Sequence, residues 1–319
     1  MDISVVIPVY NEEESIPELH QWISRALQPH GFLYEIILID DGSGDDSWSK
    51  IQSIAQTDNK VKGIKFLRNY GKSAALNMGF RYASGNTIVT MDADLQDSPE
   101  EIPELHRMIQ KQNYDLVSGW KKKRRDPISK TLPSKFFNLV TRSISGIPLH
   151  DFNCGLKAYR AAVIKQIDIY GEMHRYIPAI VKWSGFNRIG EKIVDHHPRK
   201  YGASKFGFER FIYGFLDLLS VTFVSKFKKR PMHFFGTMGT FSFVFGFIIT
   251  LWIIGEKIYY NWWLNSLAPR DVVDQPLFFL ALVLLVVGMQ LFLAGFISEM
   301  ITINANRKDD YLVEAQVGI

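Results

Sequence analysis

"YEIILIDDGSGDDS", residues 34–47, is the stretch on which the fold turns. Tyr34 and Ile36 to Ile39 form a nearly continuous apolar run, which ends in Asp40, Asp41 and a Gly-Ser turn. A strand with one face in water alternates polar and apolar residues. An unbroken run of this length belongs to a strand buried on both faces of a mainly parallel sheet. The spacing after it predicts a helix over 46–57. The same unit recurs along the first 120 residues, with strands predicted at 3–9, 61–67, 86–92 and 114–120 and helices at 13–28, 71–84 and 99–113. Strand–helix alternation at this spacing predicts an α/β domain with a doubly wound, mainly parallel sheet.

The chain has 319 residues, 47% hydrophobic and 22% charged, enough for one large domain or two modest ones. The composition is uneven. Residues 1–205 are mixed, whereas 206–300 are rich in Phe, Leu, Ile and Val. A net charge of +4 is too small to point to nucleic acid. The single cysteine, Cys154, rules out an internal disulfide and suits a reducing compartment. Met1-Asp2 leads straight into an apolar strand with no basic segment before it, so the first domain is expected in the cytoplasm.

Residues 234–255 and 277–298 carry no charged side chain. Each would extend roughly 33 Å as a helix, enough to cross a bilayer core. Lys226, Lys228, Lys229 and Arg230 precede the first span, and Arg307 and Lys308 follow the second. The intervening loop has only Lys257 and Arg270 against three acids, which places both ends of the hairpin on the cytoplasmic side. Residues 206–231 have apolar positions at 208, 211, 212, 215, 218 and 219, the pattern of an amphipathic helix lying at the membrane surface or packed on the soluble domain. The expected organisation is therefore a cytoplasmic domain over 1–205, a juxtamembrane segment over 206–231, two spans within 232–300 and a cytoplasmic tail over 301–319. The expected location is the inner, cytoplasmic membrane, as a multi-pass protein.

Three predicted strands end in acids. "PVYNEEES" (8–15) and "IDDGSGDDS" (39–47) bring Tyr10, Glu12, Asp40 and Asp41 to neighbouring strand ends. Carboxylates there can accept from ribose or base donors, and a tyrosine ring can pack on a base. "MDADLQDSPEEI" (91–102) places Asp92, Asp94 and Gln96 where an open α/β sheet holds its ligands. Two carboxylates and an amide oxygen suit Mg²⁺ or Mn²⁺. Helix capping is the competing explanation for the end of this stretch: Ser98, Pro99 and Glu101 form a capping box that can also include Asp97. It leaves Asp92 and Asp94 unexplained. His150, His174, His196 and His197 are not spaced as a metal cluster.

"VVIPVYNEEESI", "EIILIDDGSGDDS", "RNYGKSAALNMGF", "MDADLQDSPEEI" and "DFNCGLKAYR" together resemble the family-2 glycosyltransferases of GT-A fold. More narrowly, they resemble the dolichol-phosphate mannose synthase and polyprenyl-phosphate glucosyltransferase group, in its membrane-anchored bacterial form. The resemblance runs in order through residues 1–205. It implies that Pro8, Tyr10, Glu12, Ile39 and Asp41 line the nucleotide pocket, and that Asp92, Ala93 and Asp94 meet the nucleotide-sugar. Asp94 and Gln96, with Asp92, would hold the metal. "RKYGASK" (199–205) matches the group's R-x-x-G-x-S-K segment, so Arg199, Ser204 and Lys205 would bind phosphate, while Asp151 would face the sugar. Where mannose synthases carry an arginine after the fifth strand, this chain has Lys121, and Arg124 or Arg125 is the alternative phosphate ligand. Otherwise the run Lys121 to Arg125 is a solvated loop or a contact for anionic lipid headgroups.

The expected reaction is transfer of a hexose from a UDP- or GDP-sugar to polyprenyl phosphate, with inversion, using Asp94 and Asp151 as catalytic residues. The expected partners are the nucleotide-sugar, the lipid phosphate, the membrane and possible further copies of the chain, with no nucleic acid. Two rival readings are a membrane-anchored transferase acting on a sugar or lipid hydroxyl and a nucleotide-binding scaffold without catalysis.

Overall fold

The computed structural model describes residues 1–122, 138–169, 171–201, 231–263, 271–304 and 313–318. The chain divides into two compact units, Met1–Thr222 with Asp309–Ile319, and Phe223–Lys308.

The first unit is an α/β sheet domain. Its strands are β1 (Ile3–Val9), β2 (Tyr34–Asp40), β3 (Val61–Phe66), β4 (Thr87–Thr90), β5 (Leu116–Trp120), β6 (Lys157–Arg160), β7 (Ile189–Ile193) and β8 (Val313–Val317). They form one sheet in the order β7-β5-β6-β4-β1-β2-β3-β8. The pairs β1–β2, β1–β4, β2–β3 and β5–β7 are parallel, whereas β6 runs antiparallel to β4 and β5, and β8 to β3. Helices α1 (Ile16–Leu27), α2 (Ser47–Thr57), α3 (Lys72–Tyr82) and α4 (Ile102–Gln110) connect the early strands as the hydrophobic pattern predicts. Every residue of β2 is buried, as an unbroken apolar run requires.

The sequence pattern misses β6 and β7. Lys157 and Arg160 give β6 no apolar signature, and β7 is only half-buried. Within the expected tail over 301–319, Val313–Val317 closes the β3 edge of the sheet, with Lys65 Nζ 2.9 Å from Glu314 Oε2. Gly63 makes room for this strand, because a Cβ there would lie 2.8 Å from Val317 Cγ1.

The topology gathers the working ends of the strands. The C-terminal ends of β1, β2, β4, β5 and β7 lie along one edge, and the antiparallel β6 brings its first residue there.

The second unit is a helical hairpin. Helices α5 (Pro231–Ile258) and α6 (Pro276–Asn304) overlap the segments Pro231–Trp263 and Pro276–Ile301, which are long and apolar enough to cross a membrane. Small residues let them approach closely: a Cβ on Gly239 would lie 2.7 Å from Gly288 O, and one on Gly246 2.9 Å from Ala281 O. Ser242 Oγ donates to Leu284 O (2.8 Å), and Met232 N donates to Glu299 Oε2 (3.1 Å). Large apolar side chains face outward, among them Phe241 and Trp262. The expected juxtamembrane helix over 206–231 lies outside the described residues except for its last position.

Candidate active site

The loops after β1 and β2 are stapled together. Asn11 N donates to Ser43 Oγ, Gly44 N to Asn11 Oδ1 and Glu12 N to Ser47 Oγ, each at 2.9 Å. Asn11, at φ 55°, turns the chain between Tyr10 and Glu12. Tyr10 is exposed on this loop and Pro8 half-buried, while Ile39 is buried in β2. Gly42 follows the acid pair at φ 70°, where a Cβ would lie 2.4 Å from the Arg68 carbonyl carbon, so no larger residue fits.

The two acids of this turn behave differently. Asp41 is buried and accepts from Tyr70 N (2.7 Å) and Gly71 N (2.9 Å), so both oxygens already shape the loop before α3. Burial nevertheless pushes its carboxyl up to about 6, with the neighbouring Asp40 adding to the effect. Asp40 accepts from Ser43 N, and its other oxygen has no hydrogen-bond partner among the described residues.

After β4 the side chains alternate. Met91, Ala93 and Leu95 are buried, whereas Asp92, Asp94 and Gln96 remain partly open. Leu95 sits at φ 62°, a strained setting for a leucine, and its burial in the core pays for the turn between Asp94 and Gln96. Gly155 presses against Asp92; a Cβ on it would meet Asp92 Oδ2 at 2.6 Å. Gln96 Nε2 reaches His197 O at 3.4 Å, and His197 N donates to Gln96 O at 2.9 Å, which ties this loop to the chain after β7.

Three lysines surround the acids. Lys72, the first residue of α3, pairs with Asp92. Lys121, just beyond β5, lies 2.8 Å from Asp97, whose side chain is fully buried. Lys157, the first residue of β6, is buried and donates to Cys154 O. Burial works against the charge of Asp92, but Lys72, Lys121 and Lys157 outweigh it and hold the carboxyl below its ordinary range. Asp94 goes the other way. Burial raises it, Asp92 and Asp97 raise it further, and its contact with Gln96 N (3.3 Å) does not compensate.

Ser98 caps the turn Pro99–Glu101 by accepting from Glu100 N (3.3 Å), as the capping reading predicts. Glu101 is used elsewhere: it pairs with Lys192 and accepts from Asp195 N. Asp97 is the counter-ion of Lys121.

Asp151 is buried at the far end of the turn that leads to Gly155. Its N–H donates to Glu191 Oε1 (3.0 Å), and its Oδ1 accepts from Asn153 N (3.0 Å). Arg199 is drawn to the loop after β1, where it pairs with Glu12 and donates from Nε to Tyr201 O (2.8 Å). Burial raises Glu12, Arg199 opposes this, and the charges of Asp92 and Asp45 add to it. Two residues expected to meet phosphate, Lys121 and Arg199, are thus paired with acids of the site. Arg124, Arg125, Ser204 and Lys205 lie outside the described residues.

Sequence reasoning assigned no role to Lys72 or Lys157. The first stands in "RNYGKSAALNMGF" at a helix start, a visible but unspecific signal. The second is brought to the site only by the antiparallel pairing of β6.

Residues 4–168 match the family model described as "Glycosyl transferase family 2". The chain belongs to this family. Relatives extend the match over nearly the whole chain. Dodecaprenyl-phosphate galacturonate synthase of Rhizobium johnstonii is 36% identical over 314 residues, covering 97% of this chain and 90% of the relative. Undecaprenyl-phosphate 4-deoxy-4-formamido-L-arabinose transferase of Shewanella sediminis is 36% identical, with 84% and 80% covered. Among solved structures, glucosyl-3-phosphoglycerate synthase of Mycobacterium tuberculosis, in complex with Mn²⁺, UDP and glucosyl-3-phosphoglycerate, has a TM-score of 0.53 at 20% identity over 70% of this chain and 79% of that one. At that identity the likeness establishes the GT-A fold of this family-2 chain and nothing finer.

Proposed function

We propose that the chain transfers a hexose from a UDP- or GDP-sugar to polyprenyl phosphate at the cytoplasmic face of the inner membrane. The observation that carries this reading is Asp94, a half-open carboxylate at the ligand edge whose nearest charged neighbours include two more carboxylates. Such a group is short of a cation. The two relatives support the acceptor, since both are named for transfer to a polyprenyl phosphate, although their sugars differ.

The donor set fits a hard divalent ion. Among the described residues no three of His, Cys, Asp and Glu form a ready metal cluster. A diphosphate-bearing site does not require one, because the substrate supplies further oxygens. Asp92, Asp94 and Gln96 would hold Mg²⁺ or Mn²⁺, which when bound stabilises the charge of the departing diphosphate.

The chain's own residues do the rest in this reading. Tyr10, Glu12 and the loop shaped by Asp41 receive the nucleoside, with Pro8 and Ile39 beneath. Ala93 brings backbone close to the sugar-phosphate. Lys72 sets a positive charge beside Asp92, where the leaving group gathers negative charge. Arg199, with Ser204 and Lys205, takes the acceptor phosphate, and Lys121 with Arg124 and Arg125 adds positive potential nearby. The acceptor oxygen is ionised near pH 7, so it attacks the anomeric carbon without a general base as the bond to the nucleoside diphosphate breaks. Asp151 then orients the sugar.

Connectivity supports the topology. β8 follows the hairpin in sequence yet belongs to the sheet whose other strands precede it. In this reading the chain recrosses the membrane between them, through an even number of spans. The basic flanks favour the cytoplasm for both ends.

The test uses detergent-solubilised protein, Mg²⁺ or Mn²⁺, undecaprenyl phosphate and labelled UDP- and GDP-sugars. Metal-dependent label in the organic phase is expected, reduced roughly 10²–10³-fold in Asp94→Ala. Label released only into water would favour a hydroxyl acceptor. Nucleotide binding without turnover would leave the scaffold reading.

A further inference from the structure

Lys157 is a charged residue of the site that neither the family match nor the reaction above explains. The residue is 4% exposed. The ladder sets it opposite Thr90 of β4 and Ser118 of β5, at the edge where the ligands gather. An ammonium group has three N–H donors, and among the described residues this one finds a single acceptor, Cys154 O.

A structural counter-ion would be placed differently. Asp92, on which the charge of Lys157 acts, is held by Lys72, and Lys157 makes no ion pair among the described residues. Burying a cation with two donors unanswered costs several kcal/mol. Such an arrangement persists where a ligand completes it. Cys154, whose carbonyl Lys157 touches, belongs to the turn that begins at Asp151 and reaches Asp92 through Gly155. Burial lowers the ammonium pKa, and Asp151 and Asp92 both act on it from opposite ends of that turn.

We propose that Lys157 is a specificity-determining residue for the donor sugar, its two unanswered N–H groups donating to oxygen acceptors on the ring between the diphosphate and Asp151. The acceptor is a ring hydroxyl or a carboxylate, as on a hexuronic acid. This rests on the sugar-transfer reading above.

Full-length wild type, Lys157→Met and Lys157→Arg are compared in transfer to undecaprenyl phosphate, using UDP- and GDP-linked neutral hexoses and hexuronic acids. Inhibition by UDP and GDP is measured alongside. For Lys157→Met the thermal midpoint should stay at or above wild type, because an apolar side chain of similar volume replaces a buried charge. Its kcat/KM with the preferred donor should fall at least about tenfold while nucleoside diphosphate inhibition stays within about twofold. A loss confined to hexuronic donors assigns the contact to a carboxylate, and a loss on neutral hexoses assigns it to a hydroxyl. Unchanged kcat/KM, or an equal loss of nucleoside diphosphate affinity, overturns the proposal. If the methionine variant does not fold, Lys157→Arg decides: a changed ranking of donors supports the role and an unchanged ranking overturns it. Failure of wild type with every donor refutes the lipid-phosphate reading instead, before any variant is compared.

Discussion

The two ends of the sheet treat buried carboxylates in opposite ways. At the end away from the candidate site, Glu35 of β2 accepts from Ser4 Oγ (2.5 Å), Ser84 N (2.8 Å) and Ser84 Oγ (2.7 Å), with Lys62 Nζ at 3.0 Å. Burial disfavours its charge, yet these donors outweigh burial and lower its pKa. At the end that carries the candidate site, Asp94 is raised, one oxygen of the fully buried Asp97 has no partner among the described residues, and Leu95 holds a left-handed conformation. One end of the sheet closes its polar groups upon themselves. The other keeps them open, which costs stability unless a ligand completes them.

The comparison breaks most visibly at Lys121. In Lys121→Met the buried Asp97 loses its counter-ion, and removing one partner of such a pair costs about 3–5 kcal/mol. The melting midpoint of the solubilised protein should drop by roughly 10 °C, and adding Asp97→Asn should recover most of it. A single variant that melts like wild type would make Lys121 an ordinary surface cation.

Asp41 stands between the two cases, since its oxygens are satisfied and its pKa is still pushed up to about 6. A raised carboxyl pKa means that the stability it contributes is fully present below the unfolded value near 3.8 and is lost as pH rises through about 6. The stability of wild type relative to Asp41→Asn should therefore grow as pH falls from 7 to 4, by up to about 3 kcal/mol. A difference that shrinks over this range would place Asp41 with Glu35 as a well-stabilised anion.

Glu35 should show the smallest effect. Glu35→Gln keeps an acceptor for the serines and loses the Lys62 pair, which predicts about 1–2 kcal/mol of destabilisation. Transfer activity should be unchanged at saturating substrate. Loss of activity without loss of stability would join the two ends of the sheet in function.

How far the site can be read in advance follows the same division. Asp92, Asp94 and Gln96 stand out because two-residue spacing puts them on one side of an emerging strand, a local property. The cations around them do not stand out. Lys72, Lys121 and Lys157 come from three separate segments, and a charge leaves no mark in sequence of which distant acid it meets. Arg199 illustrates the point: its motif marks it as a phosphate ligand, and only the fold brings it to Glu12.

The sequence by itself determined the early strands and helices, the acid-tipped strand ends and the two apolar spans. Each is written in hydrophobic runs a few residues to a few turns long, and burial acts directly on those runs. The tertiary structure alone decided that β6 runs antiparallel between β4 and β5, which delivers Lys157 to the site, and that Val313–Val317 returns to close the sheet edge at β3. Strand pairing uses backbone groups that every residue carries, so short strands such as these gain their partners from edges left open by the rest of the fold.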